Sequence, residues 1–394
     1  MQKNYSYILW LPSWYPNQLT PFDGDFIQRH AQAAALFSNI YIIRIVPDKD
    51  ATIAKNIKTE IKKQNNLTEH IVYYKRSTSL FGNVLGAFKE IGLYRRAIKN
   101  CIKQNGKPSL VHVHVAVKAG LLALWIKRKY KIPFLVSEHW TIYQPGSPDE
   151  FRKRSFFFRQ FSRRIIKKSN LLLTVSNDLG QQIGKIVFPK KFHIIPNVAN
   201  ETYFHFKPHN TSKFRFIHVS DMNSHKNVEA ILENFAIVQK SFPDIELVLV
   251  GLIDNKLVRI VENMGLLNKA VFFCGEIAYK KVATEFQNSN ALVLFSLFEN
   301  QPCVIIEALC CGVPVISSPV GGIPEIITPA NGILTNDCSL ADAMKLMIKD
   351  YRLFDPEKIS EDARSKFSYS VVGKMFYDIY NSALSDILPL ENKS

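Results

Sequence analysis

The sequence predicts an α/β protein of two doubly wound domains, each a parallel sheet covered by helices on both faces, with a cleft between them. Three observations carry this expectation. At 394 residues the chain exceeds what one hydrophobic core usually serves, so two domains are expected. Short, nearly continuous apolar runs alternate with helical patterns, as strands buried on both faces should. The alternation restarts after "PNVANETYFHFKPHN" (196–210), a polar segment with two prolines that suits a linker.

In the first half, "YSYILWLP" reads as a strand, "DFIQRHAQAAALF" as a helix and "IYIIRIVP" as a strand. "IVYYK", a helical stretch near 84–104, "LVHVHVA", helical "AGLLALWIKRKY" and strand "IPFLVSEH" follow, and a basic helix near 151–168 leads into "NLLLTVS". After the linker, "FRFIHVS", "IELVLVG", "AVFFCG", "ALVLFS" and "PVISS" are strands, and "NVEAILENFAIVQKSF", "VATEFQNS" and 302–311 are helices between them. Each half is therefore Rossmann-like, and such sheets bind ligands beyond the C-terminal ends of their strands. The tail "SYSVVGKMFYDIYNSALSDIL" has helical apolar spacing and is expected to pack back on the body. The expected boundaries are 1–197, 198–366 and a returning helix in 367–394.

A chain that is 47% hydrophobic and 21% charged is globular, and no apolar run approaches the roughly 18 residues a membrane span needs. The N-terminus has Trp and Pro where a signal peptide would place small residues, so a cytoplasmic protein is expected. Six cysteines (101, 274, 303, 310, 311, 338) show no metal-ligand spacing and read as buried free thiols. The net charge of +16 is uneven: residues 1–200 hold 32 Lys and Arg against 11 Asp and Glu, and the remainder 18 against 23. The two halves should therefore face different partners.

"LFENQPCVIIEALCCGVPVISSPVGGIPEII" (297–327) carries the densest chemistry. Glu299 follows a strand, Asn300 is a plausible N-cap, Pro302 suits a first helical turn, and Gly312 ends the helix. The free amides of that helix start, with the positive end of its dipole, suit an anion such as a diphosphate. Gly321, Gly322 and Glu325 should return to the same side. Amides for phosphate and carboxylates for hydroxyls are what a sugar nucleotide requires.

In order and spacing, Glu299, Glu307-Ala308-Leu309, Cys311-Gly312, Pro314-Val315-Ile316, Gly321-Gly322 and Pro324-Glu325 resemble the donor-site signature of the retaining GT-B glycosyltransferases of family 4, group 1. The resemblance extends over most of the chain, strongest at 215–335. It implies two Rossmann-like domains around an active site and sugar transfer from a nucleotide-diphosphate sugar, UDP- or GDP-linked, to a glycan or lipid-linked acceptor, as in bacterial surface polysaccharide synthesis. It assigns Glu299 to the donor sugar's hydroxyls, Glu307 to the nucleotide ribose, and the backbone of Asn300, Gln301, Pro302 and Cys303 to the diphosphate and sugar. "FIHVSDMNSHKN" (216–227) matches the segment whose lysine grips the diphosphate, here Lys226. Asp221 stands where the family has arginine, so Lys213, Arg215 or His225 would have to supply the second base. Gly24 in "TPFDGDF" matches a phosphate-loop glycine, and "VFFCGEI" puts Gly275 and Ile277 near the base. "FLVSEHW" gives His139 near the donor sugar with Glu138 beside it, and of His112 and His114 one should enter the cleft.

With no Asp-x-Asp at a strand end, no metal or other cofactor is expected, and Lys226 with the helix amides would stabilise the leaving group. The basic, aromatic "FRKRSFFFRQFSRRIIKK" (151–168) could lie on an anionic inner-membrane surface, with Phe157, Phe158, Phe161, Ile165 and Ile166 towards one side, or pack on the core. No nucleic-acid-reading motif is present, so nucleic acid is not an expected partner. A sugar-nucleotide epimerase or a non-transferring sugar-nucleotide binder remains the alternative function.

Overall fold

The computed structural model describes residues 7–387 apart from 51, 54–55, 77–79, 209–212 and 336–338. The first sheet has eight strands: β1 (Ile8–Pro12), β2 (Ile40–Asp48), β3 (Ile57–Gln64), β4 (Leu67–Lys75), β5 (Leu110–His114), β6 (Phe134–Glu138), β7 (Leu171–Thr174) and β8 (Phe192–Ile194). Their order is β3-β4-β2-β1-β5-β6-β7-β8. The second sheet holds β9 (Phe214–Ser220), β10 (Ile245–Gly251), β11 (Val271–Gly275), β12 (Ala291–Leu294), β13 (Val315–Ser317) and β14 (Gly332–Leu334), ordered β11-β10-β9-β12-β13-β14. Every pairing is parallel except β3 with β4, so the doubly wound fold class holds with one antiparallel edge. β3, "IKTEIKKQ", escapes the sequence reading because it is mostly exposed and so lacks the apolar run of a buried strand.

Helices α1 (Asp25–Ala35), α2 (Leu80–Asn105), α3 (Ala119–Tyr130), α4 (Phe156–Lys168) and α5 (Asn177–Ile186) belong to the first half. The second half has α6 (Val228–Ser241), α7 (Asn255–Asn263), α8 (Tyr279–Gln287), α9 (Cys303–Cys310), α10 (Leu340–Asp350) and α11 (Pro356–Phe367), and α12 (Tyr369–Ile387) closes the chain. Strand alternation sorts these helices into layers. Leu9 and Leu11 face one core, with α2 to α5 above it. Ile8 and Trp10 face the other, covered by α1 and α12 through Val372, Phe376 and Tyr380. The returning tail helix therefore completes the first domain, as its spacing predicts. In the second domain, α8, α9 and α11 cover one face and α6, α7 and α10 the other.

Three expectations are corrected. The presumed linker is packed: Asn197, Val198, Ala199 and Phe204 are buried, and Phe204 sits against Tyr279 at 4.8 Å. Its two prolines mark turns in a seam between the domains. The helix at 151–168 does not present one apolar side. Ser162, Ile165 and Ile166 are buried with Phe158 partly so, whereas Phe156, Phe157 and Phe161 point outward. Of the cysteines, 101, 310 and 311 are buried as free thiols, but Cys274 is exposed and Cys303 partly so; Cys338 lies outside the described residues.

Candidate functional site

Parallel strands gather the chemically equipped loops at their C-terminal ends, and here the two sheets turn those ends toward one cleft of about 1050 Å³. The first domain contributes Phe22, Asp25 and Arg29 around the start of α1, and His139 just past β6. The second contributes Ser220 to Lys226 after β9, Ile277 after β11, and 299–304 with Glu307 after β12.

Helix α9 begins at Cys303 with Pro302 at the N-cap and no capping side chain. Asn300 is therefore not the N-cap the sequence suggests. The first-turn amides lack intrahelical acceptors and, with the helix dipole, favour an anion at this end of the cleft. Lys226 sits beside that end, its Nζ 2.5 Å from Glu299 Oε1. The two groups are three-quarters of the second domain's sheet apart in sequence and meet because β9 and β12 are neighbours.

Glu307 is buried on α9 with Arg29 Nη1 at 3.3 Å from its Oε1, an ion pair across the cleft. That oxygen and the nearby Tyr279 hydroxyl have no hydrogen-bond partner among the described residues. Burial raises the Glu307 carboxyl above its ordinary range, against the opposing pull of Arg29. A buried acceptor without a donor is costly, and vicinal hydroxyls would supply two. Arg29 also lies 3.1 Å from Asp25 and stacks over Tyr279 at 4.7 Å. Sequence reasoning missed Arg29. Its only signal is an arginine four residues after Asp25 on the buried face of an amphipathic helix.

His139 lines the cleft, stacked on His114 with His114 Nδ1 to His139 Nε2 at 3.3 Å. His139 Nδ1 has no hydrogen-bond partner among the described residues. Burial, reinforced by His30 and His112, lowers the His139 value well below that of a free imidazole, so the ring is neutral. His114 stays one layer behind, wholly buried and 4.0 Å from the Trp10 ring. His112 bonds Tyr380 Oη and Ser137 Oγ. Neither enters the cleft, contrary to expectation, because strand alternation turns both into the α1/α12 core. Glu138 is likewise not a cleft group. Its carboxylate accepts from the amides of Ala116, His139 and Trp140 and from Tyr143 Oη, holding the strand ends together.

Asn300 and Gln301 line the cleft and also stitch the domains. Asn300 donates to the His139 carbonyl and accepts from Gln144; Gln301 accepts from Asn197 through its side chain and its carbonyl. Glu325 does not reach the cleft. Its carboxylate accepts the Asn177 and Asp178 amides at 2.8 and 2.7 Å, capping α5 from the other domain. The neighbouring Gly322 is required there, since a Cβ would fall 2.3 Å from the Asn300 carbonyl oxygen and 2.5 Å from Ser176 Cβ.

Gly24 has φ 70° and ends the loop before α1, but its close neighbour is the Trp14 backbone, 2.7 Å from a Cβ built there. Pro21, Phe22, Asp25 and Phe26 of that loop border the cleft in its place. Ile277 borders it and Gly275 does not. Asp221 lines the cleft, but its carboxylate is held by the Asn223 amide and side chain. Among the suggested substitute bases, Arg215 pairs with Glu246 and Glu285 and Lys213 stays on the surface. His225 borders the cleft, stacked on Phe298. The added positive charge in the cleft thus comes from Arg29, across the domain boundary.

Two family descriptions match consecutive parts of the chain: Glycosyltransferase Family 4 over residues 59–202 and Glycosyl transferases group 1 over 199–366. The chain is 26% identical over 309 residues to the N-acetyl-alpha-D-glucosaminyl L-malate synthase of Bacillus anthracis, covering 72% of this chain and 77% of that one. It is 25% identical over 266 residues to the O-antigen chain mannosyltransferase RfbU of Salmonella typhimurium, covering 63% and 73%. The crystal structure of Anabaena HepE in complex with UDP-glucose matches with a TM-score of 0.69 at 17% identity, covering 95% of this chain and 99% of that one.

Proposed function

The chain belongs to the GT-B glycosyltransferases of family 4 and group 1, and from its cleft we propose that it transfers a sugar, with retention, from a UDP- or GDP-linked donor to a glycan or lipid-linked acceptor of a bacterial surface polysaccharide. The observation that carries this reading is the pairing of two features on α9. One is an uncapped helix start beside Lys226; the other, within the same helix, is Glu307 with an unpaired buried oxygen. Diphosphate and ribose are joined at that kind of separation in a nucleotide. RfbU by its name adds mannose in O-antigen synthesis, and HepE is described with UDP-glucose.

In this reading Glu307 accepts the ribose hydroxyls, and Ile277 borders the base. Lys226 and the first amides of α9 take the diphosphate. A sugar hydroxyl then competes with Lys226 for Glu299, freeing the ammonium for the phosphate oxygens. The bond from the anomeric carbon to the diphosphate oxygen breaks, and a bond to the acceptor oxygen forms on the same face. The acceptor's proton passes to the departing diphosphate. Neutral His139 orients the sugar by a hydrogen bond and carries no charge that would oppose the oxocarbenium character developing beside it. Metal ions have no assigned part: the positive charge comes from Lys226, Arg29 and the helix dipole.

The test is thermal unfolding with UDP, GDP, ADP and CMP and their sugars, for the native chain and Glu307→Gln. At a hundredfold excess over Kd, a ligand adds about 2.7 kcal/mol. One nucleotide should raise Tm in the native chain and have no effect in the variant. A native chain indifferent to all of them overturns the reading. Donor turnover without an acceptor product, or with an epimerised sugar, would replace transfer by the binder or epimerase alternative.

A further inference from the structure

The exposed apolar residues of the first domain are unevenly distributed. Phe88 and Ile91 on α2, Leu121 on α3, and Phe156, Phe157 and Phe161 on α4 are all solvent-exposed, Phe157 by 71% and Phe156 by 61%. All six lie in one helix layer, on the sheet face opposite α1 and α12. They also lie at one end of that layer. In a parallel sheet a returning helix starts where the preceding strand ends, so Leu121 and the three phenylalanines open their helices at the cleft edge of the sheet. Phe88 and Ile91 occupy the first half of α2. The start of α4 is tied directly to the active-site edge: Phe158 packs on Trp140, next to His139, at 6.1 Å, and Trp140 packs on Trp14 at 5.4 Å.

The same layer holds much of the positive charge of the first 200 residues. Helices α2, α3 and α4 carry thirteen Lys and Arg and one carboxylate, Glu90, whose side chain accepts from Tyr74. Lys89, Lys118 and Arg152 are exposed around the aromatic end, and Arg163, Arg164, Lys167 and Lys168 along α4. Apolar rings projecting from a field of unpaired cations match an anionic bilayer. The rings enter the acyl boundary and the bases meet head groups. A soluble polyanion would use the charge but would leave six apolar side chains in water.

We propose that the α2–α3–α4 layer docks the protein on an anionic membrane surface, cleft edge first, so that the cleft mouth opens at the bilayer and receives an acceptor anchored there. The docking stands by itself; the delivery of an acceptor rests on the sugar-transfer reading above.

The experiment is flotation of the full chain with vesicles of phosphatidylcholine alone or containing phosphatidylglycerol, alongside the nucleotide thermal shift. The native chain should float with the phosphatidylglycerol vesicles and stay behind with phosphatidylcholine. Phe156→Ser/Phe157→Ser should lower partitioning at least tenfold. Arg164→Gln/Lys168→Gln should lower it about 25-fold, each basic residue near an anionic surface contributing about fivefold. Both variants change exposed side chains, so Tm and the nucleotide shift should stay native. No flotation of the native chain overturns the docking, as does flotation undiminished in the phenylalanine variant. Loss of flotation together with a lowered Tm in that variant would count against the docking unless the charge variant, with native Tm, also loses it. A native chain that floats but shows no nucleotide shift keeps the docking and removes the sugar-transfer reading.

Discussion

Arg29 and Glu307 come from different domains and are almost wholly shielded from water, so each is stabilised mainly by the other. Removing one partner of a buried pair leaves an uncompensated charge, at a cost of about 3 kcal/mol or more. Arg29→Met should therefore lower stability by about 3 kcal/mol in urea unfolding. Arg29→Met/Glu307→Gln should recover most of that loss, since replacing both charges relieves the desolvation penalty. If the double variant is no more stable than the single one, the pair is not what holds Arg29 in place. At this scale Glu299, Glu307, Lys226 and His139 were legible from sequence, because the helix start and the strand ends that carry them have local signatures. Arg29, the tether at Glu325 and the inward turn of His114 were not. Each depends on which residue of another element stands opposite.

At the scale of elements, α1, β5 and β6 bring four histidines together under the cleft, and β9 supplies a fifth buried one. Burial, the leading cause in each case, pushes His30 and His218 down to about 4 and His112 to about 3, and lowers His114 and His139 well below their ordinary value. The unfolded chain, with imidazoles near 6.5, binds more protons than the folded one between pH 4 and 6.5. Stability must then rise with pH across that window and be fully present above it. Tm should fall steadily as pH drops below about 6.5. Calorimetric unfolding at pH 5.5 in buffers of different ionisation enthalpy should reveal net proton uptake. A flat Tm from pH 7 to pH 5 would mean that these rings are not buried as neutral bases. The elements themselves were mostly readable, since strands buried on both faces are continuous apolar runs. β3 and the short β8 and β14 were not, because exposed or three-residue strands carry no such run.

For the whole molecule, the relation of the two domains is fixed by a seam rather than a linker. Asn300, Gln301 and Glu325 bond to the first domain within a few residues of the catalytic candidates, and Gly322 permits the approach. Gly322→Ala should wedge the seam apart, because the added carbon has no flexible neighbour to displace on the Asn300 backbone side. The radius of gyration by X-ray scattering should increase, and kcat should fall at least tenfold, since about 1 Å of misplacement costs on that order. Unchanged scattering and turnover would mean that the seam yields elsewhere.

The sequence by itself determined the two doubly wound domains, the returning helix, the anion-binding start of α9 and the basic character of the first half. These follow from periodicity, capping chemistry and composition, all of which act over a few neighbouring residues. Only the tertiary structure decided that Glu307 faces Arg29, that Glu325 is used as a cap across the seam, and that Glu138 and His114 stand behind the cleft. It also decided that the exposed phenylalanines gather at the cleft end of one layer. Those outcomes depend on strand order and on which face of each helix meets its neighbour. Both are set by packing between residues far apart in the chain.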